Sequence, residues 1–291
     1  MIETLAATAT KLQRSSGTVR LSFKRHGSKT VLDALYQEGC SKVRFPRPDG
    51  HKPAEAILIN TSGGLTDGDH LSCSALWHAD TKALITTQAA ERIYKSRSDV
   101  ATMHTQLNIG ERVTACWLPQ ETIFFDEGRL DRTTDVVMSH GASLFAVESM
   151  VFGRTGMGEA TCSGRVFDRW RIRVGGKLVF ADAVLLDDAG DGLFARYLAR
   201  ASVAGGARAL ATILYVGDDC AAHLDSFRRA LAQSDVVAGA SNLGPLIVAR
   251  VLAKSGQCMR DAVMRVFEAT QCGGNVDHAN QYFELPRVWN C

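Results

Sequence analysis

The sequence predicts a mainly β, single-domain protein with two helices close together near its C-terminal end. Three observations carry that prediction. From Thr18 to about Tyr215, short runs rich in Val, Ile, Thr and aromatic residues are separated by clusters of Gly, Asp and Pro. The glycine pairs Gly63-Gly64, Gly175-Gly176 and Gly205-Gly206 supply the positive-φ positions that tight turns need. Past Tyr215 the apolar spacing changes from alternation to steps of three and four.

In chain order, residues 1–17 read as a flexible N-terminal segment and 18–291 as the domain. Strands are expected at 54–60, 70–78, 82–88, 101–109, 112–118, 143–150, 165–174 and 177–186, where alternating or continuous apolar runs lie between turn residues. The last two flank Gly175-Gly176 and read as a hairpin. Asp218 or Asp219 is placed to cap a helix whose face carries Ala221, Leu224, Phe227 and Leu231. Strands at 236–240 and 246–252 follow. A second helix is expected to start near Ser255, with Met259, Val263, Val266 and Phe267 on its apolar face, and to end before Gly273-Gly274. No repeat, low-complexity tract or Pro-rich linker divides the chain.

Composition narrows the function. With 33 Lys plus Arg against 31 Asp plus Glu, the net charge of +2 offers no electrostatic footprint for nucleic acid. The basic runs at Lys24-Arg25-His26 and at Arg169, Arg171 and Arg173 read as solvated strand faces. The eight cysteines include no C-x-x-C pair, so neither a zinc knuckle nor a disulfide framework is indicated, and they read as buried thiols in a reducing compartment. The N-terminus lacks an apolar secretory core, and no run is long enough to span a bilayer. A cytoplasmic protein is expected.

Catalytic motifs are missing. There is no G-x-S-x-G elbow, H-E-x-x-H helix, P-loop or G-x-G-x-x-G turn. The segment from Asn60 to Asp69 has the glycines of a phosphate cradle but lacks the P-loop lysine, so a strand-to-strand turn is the simpler account. His70, Cys73 and His78 are metal-ligand types, yet on a strand the two histidines stand roughly 26 Å apart with Cys73 on the opposite face. More informative are polar residues inside apolar runs: Thr86, Thr87, Glu91, Glu148 and Asp182. A carboxylate on a buried strand face needs a partner, water or a metal. The plain alternative is an outward-facing residue, or an ion pair with Arg92 or Arg154.

Several blocks in one order resemble the UreD (UreH) family of urease accessory proteins. They are Asn60-Thr61-Ser62-Gly63-Gly64-Leu65-Thr66-Asp67-Gly68-Asp69, then Thr86-Thr87-Gln88-Ala89-Ala90-Glu91-Arg92-Ile93-Tyr94-Lys95-Ser96, then Trp117-Leu118-Pro119-Gln120-Glu121 with Ile123 and Phe125. Glu148, Phe152-Gly153-Arg154 and Met157-Gly158-Glu159 come next, and Pro286-Arg287-Val288-Trp289 closes the series. Asp67 stands where many relatives have Gly, and Asp182 where a Glu is common. The resemblance implies a β-helix-like fold and no catalysis. It implies binding to apo-urease and to UreF, recruitment of the GTPase UreG through UreF, a hetero-oligomeric state, and nickel delivery through an internal tunnel. No tightly bound cofactor is expected, only transient Ni2+, and Asp67, Thr86, Thr87, Glu91, Glu148, Glu159 and Asp182 are the candidate tunnel-lining or partner-facing residues. Carboxylates and hydroxyls exchange nickel more readily than thiolates and imidazoles, which suits a conduit. Two other readings are a structural clamp on urease that carries no metal, and a β-rich hydrolase using the Gly63-Gly64 loop with Glu121 or Glu148.

Overall fold

The structure, a computed structural model, describes residues 13–47, 52–153, 163–188, 192–271 and 283–290. It opens with the antiparallel hairpin of β1 (Ser16–His26) and β2 (Lys29–Gly39), followed by the short β3 (Ser41–Arg44). Strand β1 thus takes in the last two residues of the expected N-terminal segment. A winding section follows: β4 (Ala54–Asn60), β5 (His70–Trp77), β6 (Lys82–Thr87), β7 (Glu91–Ile93), β8 (Ala101–Ile109), β9 (Thr114–Leu118), β10 (Thr122–Phe124), β11 (Gly128–Met138), β12 (Ser143–Phe152) and β13 (Gly164–Val174).

Two sheets share these strands. In one, β1, β5, β8, β11 and β13 lie parallel in that order. In the other, β4, β6, β9 and β12 do the same. Parallel neighbours need a long crossover, and here the crossover is itself a strand of the opposite sheet. Each turn of the winding therefore lays one strand in each sheet, and the arrangement is β-solenoid-like, as the sequence resemblance implies.

Antiparallel strands then end the winding. The Gly175-Gly176 turn folds β14 (Lys177–Asp188) back on β13, completing a seven-stranded sheet from β14 to β2. After α1 (Leu193–Ala199), β15 (Ala209–Val216) joins β12; α2 (Cys220–Ala232), β16 (Val237–Asn242), β17 (Leu246–Ala253) and α3 (Gly256–Gln271) follow. Strands β17 and β16 extend the second, ten-stranded sheet. A 3-10 turn at Arg287–Asn290 closes the described chain.

Alternation along each strand builds three apolar regions. Between the sheets, one core holds Leu21, Phe23, Trp77, Leu107, Val136 and Ile172 against Ile85, Leu144 and Leu214. A second, towards the other end of the strands, holds Leu65, Leu130, Met150, Phe152, Val166 and Phe194, with the rings of Phe124 and Phe194 stacked 5.7 Å apart. The third lies on the outer face of the ten-stranded sheet, where Phe145, Val147 and Ile213 meet α2 and α3 through Phe227, Val263, Val266 and Phe267. The apolar face expected for α3 is the one observed.

Helix α2 differs from expectation in two respects. Its buried face is Cys220, His223, Phe227, Ala230 and Leu231, and Ala221 is exposed. Asp219 stands at its N-cap but caps no backbone group: its carboxylate accepts from Tyr215 Oη at 2.7 Å and faces His223 Nε2 at 3.1 Å. The rings of Tyr215 and His223 pack 4.6 Å apart, which puts His223 on the buried face of the helix. Helix α1 was not expected; Phe194 and Leu198 hold it against the second core.

Candidate functional site

On β11 alternate residues point between the sheets, and that row reads Leu130, Arg132, Thr134, Val136. The apolar ends of the row belong to the two inter-sheet cores, so Arg132 and Thr134 fall between them. Register extends this polar stretch sideways. Arg132 pairs with Asp168 on β13; Thr134 lies between Thr105 on β8 and Trp170 on β13; Trp170 pairs with Asp182 on β14. In the facing sheet Glu148 on β12 pairs with Thr212 on β15, and Thr212 with Arg250 on β17. The rows flanking that rung are apolar: Ala146, Leu214 and Val248 on one side, Met150, Leu210 and Leu252 on the other. A polar belt therefore crosses the interior between two apolar cores.

Arg132 is the hub of the belt. Its Nε and Nη2 donate to the two carboxylate oxygens of Asp168 at 3.0 and 2.8 Å, and Nη1 donates to Thr122 Oγ1 at 2.9 Å and meets Glu148 Oε1 at 2.5 Å. Only 4% of its side chain is exposed. Burial works against the guanidinium charge, but Asp168 and Glu148 outweigh it and hold the cation firmly. Glu148 is pushed up, first by burial and further by Asp168, because one guanidinium is shared between two carboxylates. Nearer the surface, Arg250 donates to Thr212 Oγ1 and to Asp182 Oδ2, each at 2.5 Å.

A cavity of about 280 Å³ reaches the belt from one side. At its exposed end are Asn60, Gly63 and residues 88–92; at its buried end are Arg132 and Glu148. Thr87, Thr105, Gln120 and Thr122 also line it, together with Cys73 and the exposed His104. Burial pushes the Cys73 thiol up to about 12, so without a bound metal it stays protonated. Trp117, also on the wall, has a buried indole N–H with no acceptor among the described residues. No three His, Cys, Asp or Glu among the described residues come together as a metal-holding group.

The residues singled out from sequence separate into three sets. Thr87, Glu91 and Glu148 line this cavity together. Both carboxylate oxygens of Glu91 accept from Asn60 Nδ2 at 3.1 Å, and its pKa is raised by burial. Asp182 lies on the same belt beyond the cavity. Thr86 and Asp67 lie elsewhere. Thr86 faces the helical side, donating to Leu118 O at 2.6 Å and accepting from Trp289 Nε1 at 3.1 Å. Asp67 accepts from the backbone N–H groups of Arg97, Ser98 and Asp99; burial opposes its charge, but these bonds prevail and its pKa is lowered. Glu159 lies outside the described residues. Among the described residues the ion-pair partners are Arg132 for Glu148 and Arg250 for Asp182, while Arg154 lies outside them.

Two other sequence features resolve as structure. Several N–H groups of the Asn60 to Asp69 loop are already taken, Ser62 by Asn60, Leu65 by Arg92 O and Thr66 by Asp69, as in a strand-to-strand turn. His70 bonds Thr102 at one end of β5, and His78 faces Asp33 beyond the other. Arg132, Thr122, Asp168 and Arg250 escaped sequence reading. The signal for Arg132 was present, a charge in phase with Leu130 and Val136, but it requires recognising the strand from Gly128 to Met138.

A strand-wound scaffold that encloses a polar belt, reached by a cavity lined with oxygen groups, is a β-solenoid-like fold with a candidate binding site between its sheets. Residues 15–290 match the family described as UreD, urease accessory protein. The urease accessory protein UreD of Sinorhizobium medicae is 40% identical over 98% of this chain and 99% of its own length. Those of Chelativorans sp. and Methylobacterium sp. are 40% and 37% identical, covering 98% and 95% of this chain and 97% and 95% of their own lengths. The chain belongs to the UreD urease accessory protein family. Membership supports a role in urease maturation, and the family is named for an accessory task rather than for a reaction. Among the described residues no helix is long and apolar enough to cross a membrane.

Proposed function

We propose that this protein acts in the cytoplasm as a urease maturation factor that binds apo-urease and UreF, with UreG recruited through UreF, and that nickel passes through its interior along the polar belt. The observation that carries the passage is continuity. Oxygen groups line the cavity from Asn60 and Glu91 through Thr87 and Thr122 to Glu148; Asp168 shares Arg132 with Glu148, and the Thr212 and Arg250 rung links Glu148 to Asp182. Hydroxyls and carboxylates spaced along a path, without a three-ligand cluster, hold Ni2+ briefly and release it. The GTP chemistry is assigned to UreG. Glu121, the acid or base of the hydrolase reading, is committed to Arg260 at 2.9 Å.

The test is urease purified from cells carrying the whole urease gene set, with and without this protein. Nickel-poor, inactive urease in its absence is expected; fully loaded urease rejects the maturation role. Glu148→Gln then addresses the route, because it removes a carboxylate while keeping size. One observation favours the clamp reading: Arg132 already engages both Glu148 and Asp168, as a purely structural ion-pair cluster would. A clamp keeps full urease loading in Glu148→Gln, whereas a passage loses part of it with the UreF complex intact.

A further inference from the structure

The buried end of the cavity presents a contradiction for any cation. The carboxylates that would attract it, Glu148 and Asp168, are both held by one guanidinium. Arg132 is a permanent cation that does not lose its proton in proteins, so the guanidinium cannot clear the way by deprotonation. Its contacts all lie within the belt: Asp168 by two parallel bonds, Thr122 and Glu148 by Nη1. On the far side of this cluster the belt returns towards solvent, where Asp182 and Arg250 are 27% and 45% exposed.

We propose that Arg132 is a tethered counter-ion that competes with the transported metal: a divalent cation crosses the inner end of the cavity only when the guanidinium releases Glu148 and Asp168, and its return expels the ion. This rests on the passage reading above and adds how the passage is regulated. Two carboxylates and a hydroxyl left unopposed would be a modest dication site. With an internal competitor always within reach, occupancy stays short, and the metal moves on rather than settling.

The experiment is a calorimetric titration of NiCl2 into the full-length chain and its variants, each first shown to be folded by circular dichroism. Arg132→Met is expected to tighten the Kd for Ni2+ by at least about tenfold, the size of effect that removing one apposed charge allows. Adding Glu148→Gln to it should return the Kd to the wild-type value. Arg132→Lys keeps the charge without the two-pronged geometry and should fall between. Should Arg132→Met fail to fold, the isosteric Thr122→Val removes one restraint on Nη1 and is expected to tighten binding in the same direction. A folded Arg132→Met or Thr122→Val with the wild-type Kd overturns the proposal, as does tight binding that survives Glu148→Gln. Urease loading in cells reads the underlying passage separately. Arg132→Met that binds Ni2+ tightly and starves urease supports both, while tight binding with fully loaded urease leaves the counter-ion chemistry standing and overturns the passage.

Discussion

At the scale of single residues, burial converts ordinary side chains into sensitive ones. Removing one member of a buried ion pair strands its partner's charge, so Asp168→Ala should destabilise the fold by about 3–5 kcal/mol in urea denaturation, as breaking buried pairs does. Glu148 gives a pH signature. Its pKa is pushed up to about 8 from an ordinary 4.5, so between those limits the folded state holds a proton that the unfolded chain has released. Its contribution is complete below pH 4.5 and fades as pH rises through 8. Melting temperatures taken across that window should fall less steeply in Glu148→Gln than in the wild type; equal slopes would mean that Glu148 is ionised throughout. Gly64 illustrates a backbone requirement: at φ +146°, a Cβ would stand 2.3 Å from Tyr94 Cε2. Gly64→Ala should therefore cost at least about 1–3 kcal/mol, the range for forcing atoms into a packed site, and a melt that matches the wild type would show that the loop yields.

Between elements, the C-terminal turn is a latch. Arg260 on α3 bonds Gln120 and Glu121 at 2.9 Å, and its guanidinium lies 5.4 Å from the centre of the Trp289 ring. Trp289 Nε1 reaches Thr86 Oγ1 and Leu118 O on two neighbouring strands. Trp289→Ala should lower stability by about 3–5 kcal/mol, the usual cost of emptying a buried aromatic site, and faster limited proteolysis after α3 would report the loosened tail. The latch also shows how far sequence reading went. Strands β4 and β8 and the face of α3 were legible because their alternation and periodicity are local. Strand β11 was not: Arg132, Thr134 and Asp135 break its apolar pattern, and only the opposite sheet explains them. Thr86 looked like a tunnel residue for the same reason, since its place on the helical side depends on Trp289, 203 positions away.

Across the whole molecule, the winding of strands between two sheets sets the shape and, under the passage proposed above, the path. Asp182 is the last carboxylate of the belt, half-open to solvent through Arg250, and so belongs to the end of any route. Asp182→Ala should lower the nickel content of urease in cells while the protein still co-purifies with UreF; loss of that complex would place Asp182 in folding or assembly instead. The belt has another consequence. In a stack of parallel strands, a slip of two residues keeps every inward side chain inward, and with a uniformly apolar interior such slips would differ little in energy. Here a two-residue slip of β12 would drive Glu148 into the row of Leu210 and Leu252 or that of Leu214 and Val248, away from Arg132. The buried charges thus act as an alignment key: they are the feature by which a repetitive winding distinguishes its one correct registration from its near neighbours.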